Sequence, residues 1–115
     1  GYELPSRAKL TVKKHDIILS KLKGKITFTM ILSDDSNIVA SNGFCLLRPK
    51  DYHSGLIIFA NLFSSDFHIQ HNSLCTGSIM ETISESDIEK ICIYENIDTQ
   101  KYENIINALV VINQL

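Results

Sequence analysis

Three side chains able to bind a metal recur at helical spacing in the middle of the chain. His68, His71 and Cys75 stand at positions i, i+3 and i+7, a spacing that would place three ligands on one face of a helix. Structural zinc sites have four ligands, and no fourth candidate pairs with these three nearby. We therefore predict no metal site and no cofactor, and interpret His71 as partly buried and His68 as a surface residue.

A second candidate for chemistry is His15-Asp16, a base followed by a carboxylate that could orient it. Neither a Gly-flanked serine nor an activated cysteine accompanies the pair, so we expect Asp16 to cap a turn instead. The five glycines form no phosphate-binding loop and no dinucleotide fingerprint. The tetrapeptide of DNA amino-methyltransferases and the acid-x-Lys pair of metal nucleases are missing too. We expect a protein that is not an enzyme.

Basic residues are concentrated at the amino-terminal end. The first 25 residues hold seven basic side chains against Glu3 and Asp16, although the whole chain carries a net charge of −2. The basic residues are Arg7, Lys9, Lys13, Lys14, Lys21, Lys23 and Lys25. Clustered cations raise the local potential whatever the overall charge, so we expect them to converge on one patch that contacts a polyanion.

Length and composition indicate a single domain in a reducing compartment. A chain of 115 residues with 44% apolar content can fill one modest core. Cys45, Cys75 and Cys92 are an odd set within apolar runs, which favours buried thiols and a cytoplasmic protein. We expect no membrane span, because no apolar run approaches about 18–20 residues.

The first half of the chain has the patterns of short strands. Residues 17–22 and 25–31 predict a hairpin that turns at Gly24, because the second segment alternates apolar and polar residues. Residues 37–40 predict another short strand. A buried strand follows over Phe44–Arg48, and Pro49 ends it.

The second half is mainly helical. A period of 3.6 predicts a buried face with Asp51 or Ser54 as the N-cap. That face comprises Leu56, Phe59, Ala60 and Phe63. A second short helix would bury Phe67, His71 and Leu74.

Three further elements complete the prediction. They are a capped turn at residues 84–87, a buried strand at 91–93 and a final helix from about Asp98, with Tyr102, Ile105, Ile106, Leu109 and Ile112 on one side. Together the elements predict an α+β fold. A small twisted sheet, mixed or antiparallel, contains the hairpin and is backed by a helical pair and a C-terminal helix.

The end of the final helix is apolar around more than one face. Leu109, Val110, Val111, Ile112 and Leu115 exceed what packing on one side needs. Either the helix is deeply buried, or it docks on another chain and mediates self-association.

Several segments, in this order, resemble the target recognition domain of type I restriction-modification specificity subunits. They are Leu4-Pro5-Ser6-Arg7-Ala8-Lys9, Val12-Lys13-Lys14-His15-Asp16-Ile17-Ile18-Leu19-Ser20, Ser41-Asn42-Gly43-Phe44-Cys45-Leu46-Leu47-Arg48-Pro49 and Gly77-Ser78. Residues 88–93 and Asp98-Thr99-Gln100 approximate the strand and helix start that follow in the family. The resemblance covers about residues 4–103, and the order and spacing are more specific than any one segment.

The resemblance implies a subunit without catalysis, whose paired domains each recognise half of a split double-stranded DNA sequence. Methylation and cleavage then belong to partner modification and restriction subunits. Residues 1–115 would be one domain, a fragment corresponding to the C-terminal portion of a recognition domain.

Residue chemistry agrees with this interpretation. Lysine and arginine supply phosphate contacts, and hydroxyl or amide side chains on adjoining loops can contact base edges. The predicted phosphate contacts are Arg7, Lys13, Lys14, Lys21, Lys23 and Lys25. The predicted reading surface is Ser41, Asn42, Arg48, Gly77 and Ser78. Arg48 ends a buried strand, so it either presents a well-held fork to DNA or pairs with an acid at the rim.

A different class of function fits the same residues. In that alternative the chain is a protein-interaction module whose basic strip meets an acidic partner and whose last helix dimerises.

Overall fold

The computed structural model describes residues 12–24, 26–34 and 43–113, and within them it has the predicted α+β fold. The elements are β1 (Ile17–Ser20), β2 (Phe28–Met30), β3 (Phe44–Leu47), α1 (Tyr52–Leu62), α2 (Ser65–Leu74), α3 (Glu85–Ile88) and α4 (Gln100–Asn113). The strand predicted at residues 37–40 lies outside the described residues.

The three strands form one antiparallel sheet in the order β2-β1-β3. Ile17 lies opposite Met30 on one side and Leu47 on the other, which confirms both the hairpin and the third strand. The hairpin strands are shorter than predicted. After Ser20 the chain leaves β2, and Leu22 pairs with Thr82 instead.

Helix α1 lies at the centre of the core. Asp51 is its N-cap, because its carboxylate accepts a hydrogen bond of 2.8 Å from the Ser54 amide. Every residue from Ser54 to Leu62 is buried, so the helix buries more than the predicted stripe. Phe63 lies just beyond the helix and is 49% exposed, although its ring packs against Phe59. The prediction of Phe63 as a buried position was wrong because the helix ends before it.

Helices α2 and α3 each begin after a serine N-cap, of which only the one at residues 84–87 was predicted. Ser64 and Ser84 each accept a hydrogen bond from a backbone amide three residues later. Phe67 and His71 are fully buried on α2, so His71 is buried more deeply than predicted.

Residues 91–93 do not form a strand of the sheet, contrary to prediction. Ile93 is a single bridge residue, and side-chain amides hold the neighbouring backbone. Gln70 both donates to the Cys92 carbonyl and accepts from its amide, at 2.8 and 2.9 Å. The buried Asn61 does the same for Tyr94, at 2.9 and 2.8 Å. Cys92 is exposed, so the prediction of three buried cysteines fails at this residue, while Cys45 and Cys75 are buried.

Helix α4 packs on α1 through one side. Ile106 is buried, whereas Ile105 and Leu109 remain 38% and 43% exposed. The predicted single apolar side is therefore only partly covered. No helix in the part of the chain that the structure describes is both long and apolar enough to cross a membrane.

Candidate nucleic-acid interface

The predicted DNA-binding cations separate into two groups at opposite ends of β1. Lys13 and Lys14 precede the strand, and Lys21 and Lys23 follow it. An extended strand rises about 3.3 Å per residue, so roughly 16 Å separates Asp16 from Lys21. The prediction that these cations converge on one patch is therefore wrong for the described residues.

A tight turn presents Lys13 and Lys14 at the first end. The Asp16 carboxylate accepts from the Lys13 amide at 2.7 Å, and the Asp16 amide donates back to the Lys13 carbonyl at 3.0 Å. His15 takes a left-handed conformation with φ of 73°, which closes the turn. The prediction that Asp16 caps a turn into β1 is confirmed. Both lysine side chains are exposed.

Arg48 braces this turn from the neighbouring strand. Its Nε and Nη2 atoms lie 3.0 and 2.8 Å from the two oxygens of Asp16, which is only 2% exposed. These hydrogen bonds raise the pKa of Arg48 above its ordinary value, and the pair is the bidentate geometry that arginine favours. Of the two roles predicted for Arg48, pairing with an acid is the one observed. Its contact with DNA remains a prediction.

A pocket of about 250 Å³ opens between the turn and the start of α1. Its lining residues are Lys13, Lys14, His15, Asp16, Arg48, Pro49, Lys50, Asp51 and Tyr52. The His15 and Tyr52 rings form part of the wall, with centroids 4.4 Å apart. Burial, and then the charge of Lys14, lowers the pKa of His15, while Asp34 acts in the opposite direction. Burial is thus the main cause of the lowered pKa of His15.

Three lysines give the pocket its positive charge. Among the described residues, no carboxylate lies within 4 Å of the ammonium nitrogen of Lys13, Lys14 or Lys50. The two acids of the lining are engaged, Asp16 by Arg48 and Asp51 as the cap of α1. We call Lys13, Lys14, Arg48 and Lys50 the pocket end. This end of the strand carries a net positive charge.

At the other end of β1 the lysines are neutralised. Lys21 Nζ lies 3.1 Å from a Glu85 oxygen, and Lys23 Nζ lies 3.2 Å from a Glu81 oxygen. A lysine held by a carboxylate brings little net charge to a phosphate, because the acid remains beside it.

The predicted reading residues Gly77 and Ser78 belong to the same end as Lys21 and Lys23. Thr82 pairs with both Thr76 and Leu22, which places the loop 77–81 beside the segment after β1. The Lys21 amide also donates to the Gly43 carbonyl at 3.1 Å. We call residues 21–24, 43 and 77–81 the loop end.

Four predicted contacts, Arg7, Lys25, Ser41 and Asn42, lie outside the described residues. Ser41 and Asn42 directly precede Gly43 in the sequence, which is itself at the loop end.

His68, His71 and Cys75 have structural partners. His68 Nε2 lies 2.8 Å from the Leu62 carbonyl oxygen, and His71 Nε2 donates to the Ser20 carbonyl at 2.9 Å. Burial raises the pKa of Cys75, so its thiol stays protonated at neutral pH. Within the residues that the structure describes, no three potential ligands are arranged to hold a metal ion.

Comparisons with known proteins add no family to this geometry. A scan against protein-family models and searches of curated proteins and solved structures find no match to this chain. The resemblance to a target recognition domain therefore depends on the residues quoted for it and stays a prediction.

Sequence reasoning missed Lys50 and the His15–Tyr52 wall. A local signal for Lys50 exists, since β3 ends at Leu47 just before Pro49 and Asp51 caps α1. A linker that short holds Lys50 beside Arg48. Nothing local predicts that Tyr52 would meet His15, because the contact depends on how α1 packs beside the turn.

Proposed function

We propose that this chain is a non-catalytic module that binds double-stranded DNA with sequence specificity, as part of the target recognition domain of a type I restriction-modification specificity subunit. The observation that carries the proposal is the group of three lysines, Lys13, Lys14 and Lys50, that form no ion pair with any described residue and line one pocket with the braced Arg48. The resemblance of the quoted segments to the family supports the same function independently.

Phosphate contacts from the lysines would supply the affinity for DNA. Lysine that neutralises a DNA phosphate releases condensed counterions, which supplies sequence-independent affinity. Lys13, Lys14 and Lys50 can make such contacts without first breaking an ion pair. Lys21 and Lys23 would have to leave Glu85 and Glu81, so we assign them a smaller share.

In this proposal the loop end reads the bases. Ser78 is exposed in the loop that follows Thr76, and Ser41 and Asn42 come just before Gly43, whose carbonyl accepts from the Lys21 amide. Hydroxyl and amide groups can bond base edges in the major groove, and asparagine suits adenine. In this arrangement the pocket end contacts phosphates and the loop end contacts bases. Phosphate contacts generally position a protein on DNA, and base contacts specify the sequence.

The proposed partners are duplex DNA together with modification and restriction subunits that would carry out the chemistry. The proposed compartment is the cytoplasm. All three cysteines are free, which is compatible with a reducing environment.

One observation favours a second function, a protein-interaction module that dimerises through α4. Ile105 and Leu109 are one helical turn apart and both are more than one-third exposed. Exposed apolar residues at this spacing are typical of a helix that packs against a partner.

Two measurements on the full chain separate these functions. Fluorescence anisotropy with a random-sequence duplex over a salt series should give log affinity that falls linearly with log salt, and selection from a duplex library should enrich one sequence. Sedimentation of the protein alone reports dimerisation. Concentration-dependent dimers without DNA binding at low salt would overturn the DNA proposal and support the alternative.

A further inference from the structure

We infer that the pocket between the Lys13–Asp16 turn and the start of α1 seats a single phosphate group, held by Lys13, Lys14 and Lys50. Its assignment to a DNA backbone phosphate rests on the function proposed above. The binding of phosphate itself depends only on the pocket.

The size and lining of the pocket fit this ligand. A volume of about 250 Å³ accommodates a phosphate group together with the adjoining sugar carbons. Four cationic side chains line it against two carboxylates, so the lining is net positive. Compact ammonium groups on flexible stems can each turn towards a phosphate oxygen as a point charge.

The carboxylates near the pocket reduce its positive charge without cancelling it. Asp16 is buried and gives both oxygens to Arg48, so its charge is compensated where it stands. Asp51 turns an oxygen onto the Ser54 amide, and hydrogen bonds there lower the pKa of Asp51. Asp51 therefore stays ionised, and the Asp34 carboxylate accepts a hydrogen bond of 3.1 Å from the Lys14 amide. Three lysines against these two carboxylates leave the pocket with a net positive charge.

The beginning of α1 adds to the attraction. The positive end of the helix dipole, worth about half a charge at an N-terminus, points at the pocket from Tyr52. This contribution is secondary here, because the Asp51 side chain already caps part of that end. The lysines remain the main source of affinity.

His15 supplies a reporter inside the site. Its ring packs against the Tyr52 ring, and Lys14 and Asp34 act on it electrostatically. The other charged residues that line the pocket are Lys13, Asp16, Arg48, Lys50 and Asp51. A phosphate seated there would favour the protonated ring, so the pKa of His15 should rise on binding.

The first test titrates the full chain with inorganic phosphate at constant ionic strength and follows backbone amide and His15 ring resonances by NMR. We expect saturable shifts at residues 13–16 and 50–52 and a rise in the pKa of His15. In the variant Lys14→Ala/Lys50→Ala, the phosphate affinity should fall about tenfold or more. The matched control Lys90→Ala/Lys101→Ala removes two charges elsewhere and should leave the affinity unchanged.

Folding is controlled in the same spectra, because both replaced pocket lysines are exposed and the remaining resonances should stay in place. Shifts that never saturate, that spread evenly over all exposed lysines, or that persist in the pocket variant would overturn the inference.

A second test distinguishes the sources of the phosphate. A series of duplexes, each with one neutral methylphosphonate, is compared with duplexes that carry or lack a 5′-phosphate. Loss of affinity at one internal position, absent in the Lys14→Ala/Lys50→Ala variant, supports a backbone phosphate. Dependence on the 5′-phosphate instead would assign a strand terminus.

The two proposals fail separately. Duplex binding without any pocket response to phosphate would overturn the inference and leave the DNA function standing. A phosphate-responsive pocket in a chain that binds no duplex would overturn the proposed function and keep the phosphate site.

Discussion

Replacing Lys13 and Lys14 by glutamine should flatten the salt dependence of DNA binding, whereas replacing Lys21 and Lys23 should change it little. Both double variants remove two positive charges from the same stretch of chain. They differ in the partners of those charges, because Lys21 and Lys23 are held by Glu85 and Glu81.

The expected magnitude follows from counterion release. Each phosphate contact contributes about 0.9 to the slope of log affinity against log salt, so two contacts contribute roughly 1.8. Between about 50 and about 200 mM salt, a fourfold range, that difference amounts to roughly tenfold in affinity. At low salt the Lys13→Gln/Lys14→Gln variant should bind more weakly than the parent, and the two should converge as salt increases.

The assay is fluorescence anisotropy with one labelled duplex, performed on the parent chain and both variants across the salt series. Equal losses of slope in the two variants would refute the reasoning, because they would mean that the ion pairs do not limit Lys21 and Lys23. A larger loss for Lys21→Gln/Lys23→Gln would place the phosphate contacts at the loop end.

Three further predictions concern stability. Arg48→Ala leaves the buried Asp16 carboxylate without its guanidinium, so urea denaturation should show a loss of about 2–4 kcal/mol, and a loss under about 1 would contradict the role of the pair. Gly77 has φ of 133° and an added Cβ would overlap a carbonyl oxygen of its own loop, so Gly77→Ala should lower stability by about 1–3 kcal/mol. Gly43→Ala should not, because its Cβ would have no described atom within 4 Å. Burial lowers the pKa of His71. As pH falls, the unfolded chain therefore protonates this histidine at a higher pH than the folded chain does. The unfolding free energy should fall as pH drops below about 6.5, and it should fall less steeply in the variant His71→Gln. An unchanged slope in that variant would count against it.

Local rules were sufficient for much of the fold. Asp51 as a cap, Ser84 as a cap and the hairpin around Gly24 follow from propensities within a few residues, and the structure confirms them. The third strand was also predictable, because Pro49 gives its end.

Contacts between distant segments were not predictable. The apolar residues at 91–93 read as a strand, yet Asn61 and Gln70 satisfy the neighbouring backbone from two helices. The spacing of these two side chains in the sequence does not indicate that they would bind this backbone. The periodicity of α1 predicts one buried face. The helix is buried on several sides because other elements pack around it, which the periodicity alone does not show.

The candidate site shows the same division. The turn at Asp16 was predicted from local sequence, whereas the pairing of Lys21 with Glu85 joins residues 64 positions apart. Lys13 and Lys14 are close to Lys21 and Lys23 in the sequence but not in space, because the extended strand β1 lies between them. A charge pattern alone cannot report which lysines have acidic partners after folding.

The most direct test of DNA recognition through the pocket end is an NMR titration of the isotopically labelled full chain with a short duplex at low salt. If the pocket end contacts DNA, we expect the largest amide shifts at residues 12–16 and 48–52, with smaller shifts at residues 77–81. Shifts confined to α4, or none at saturating duplex, would contradict it.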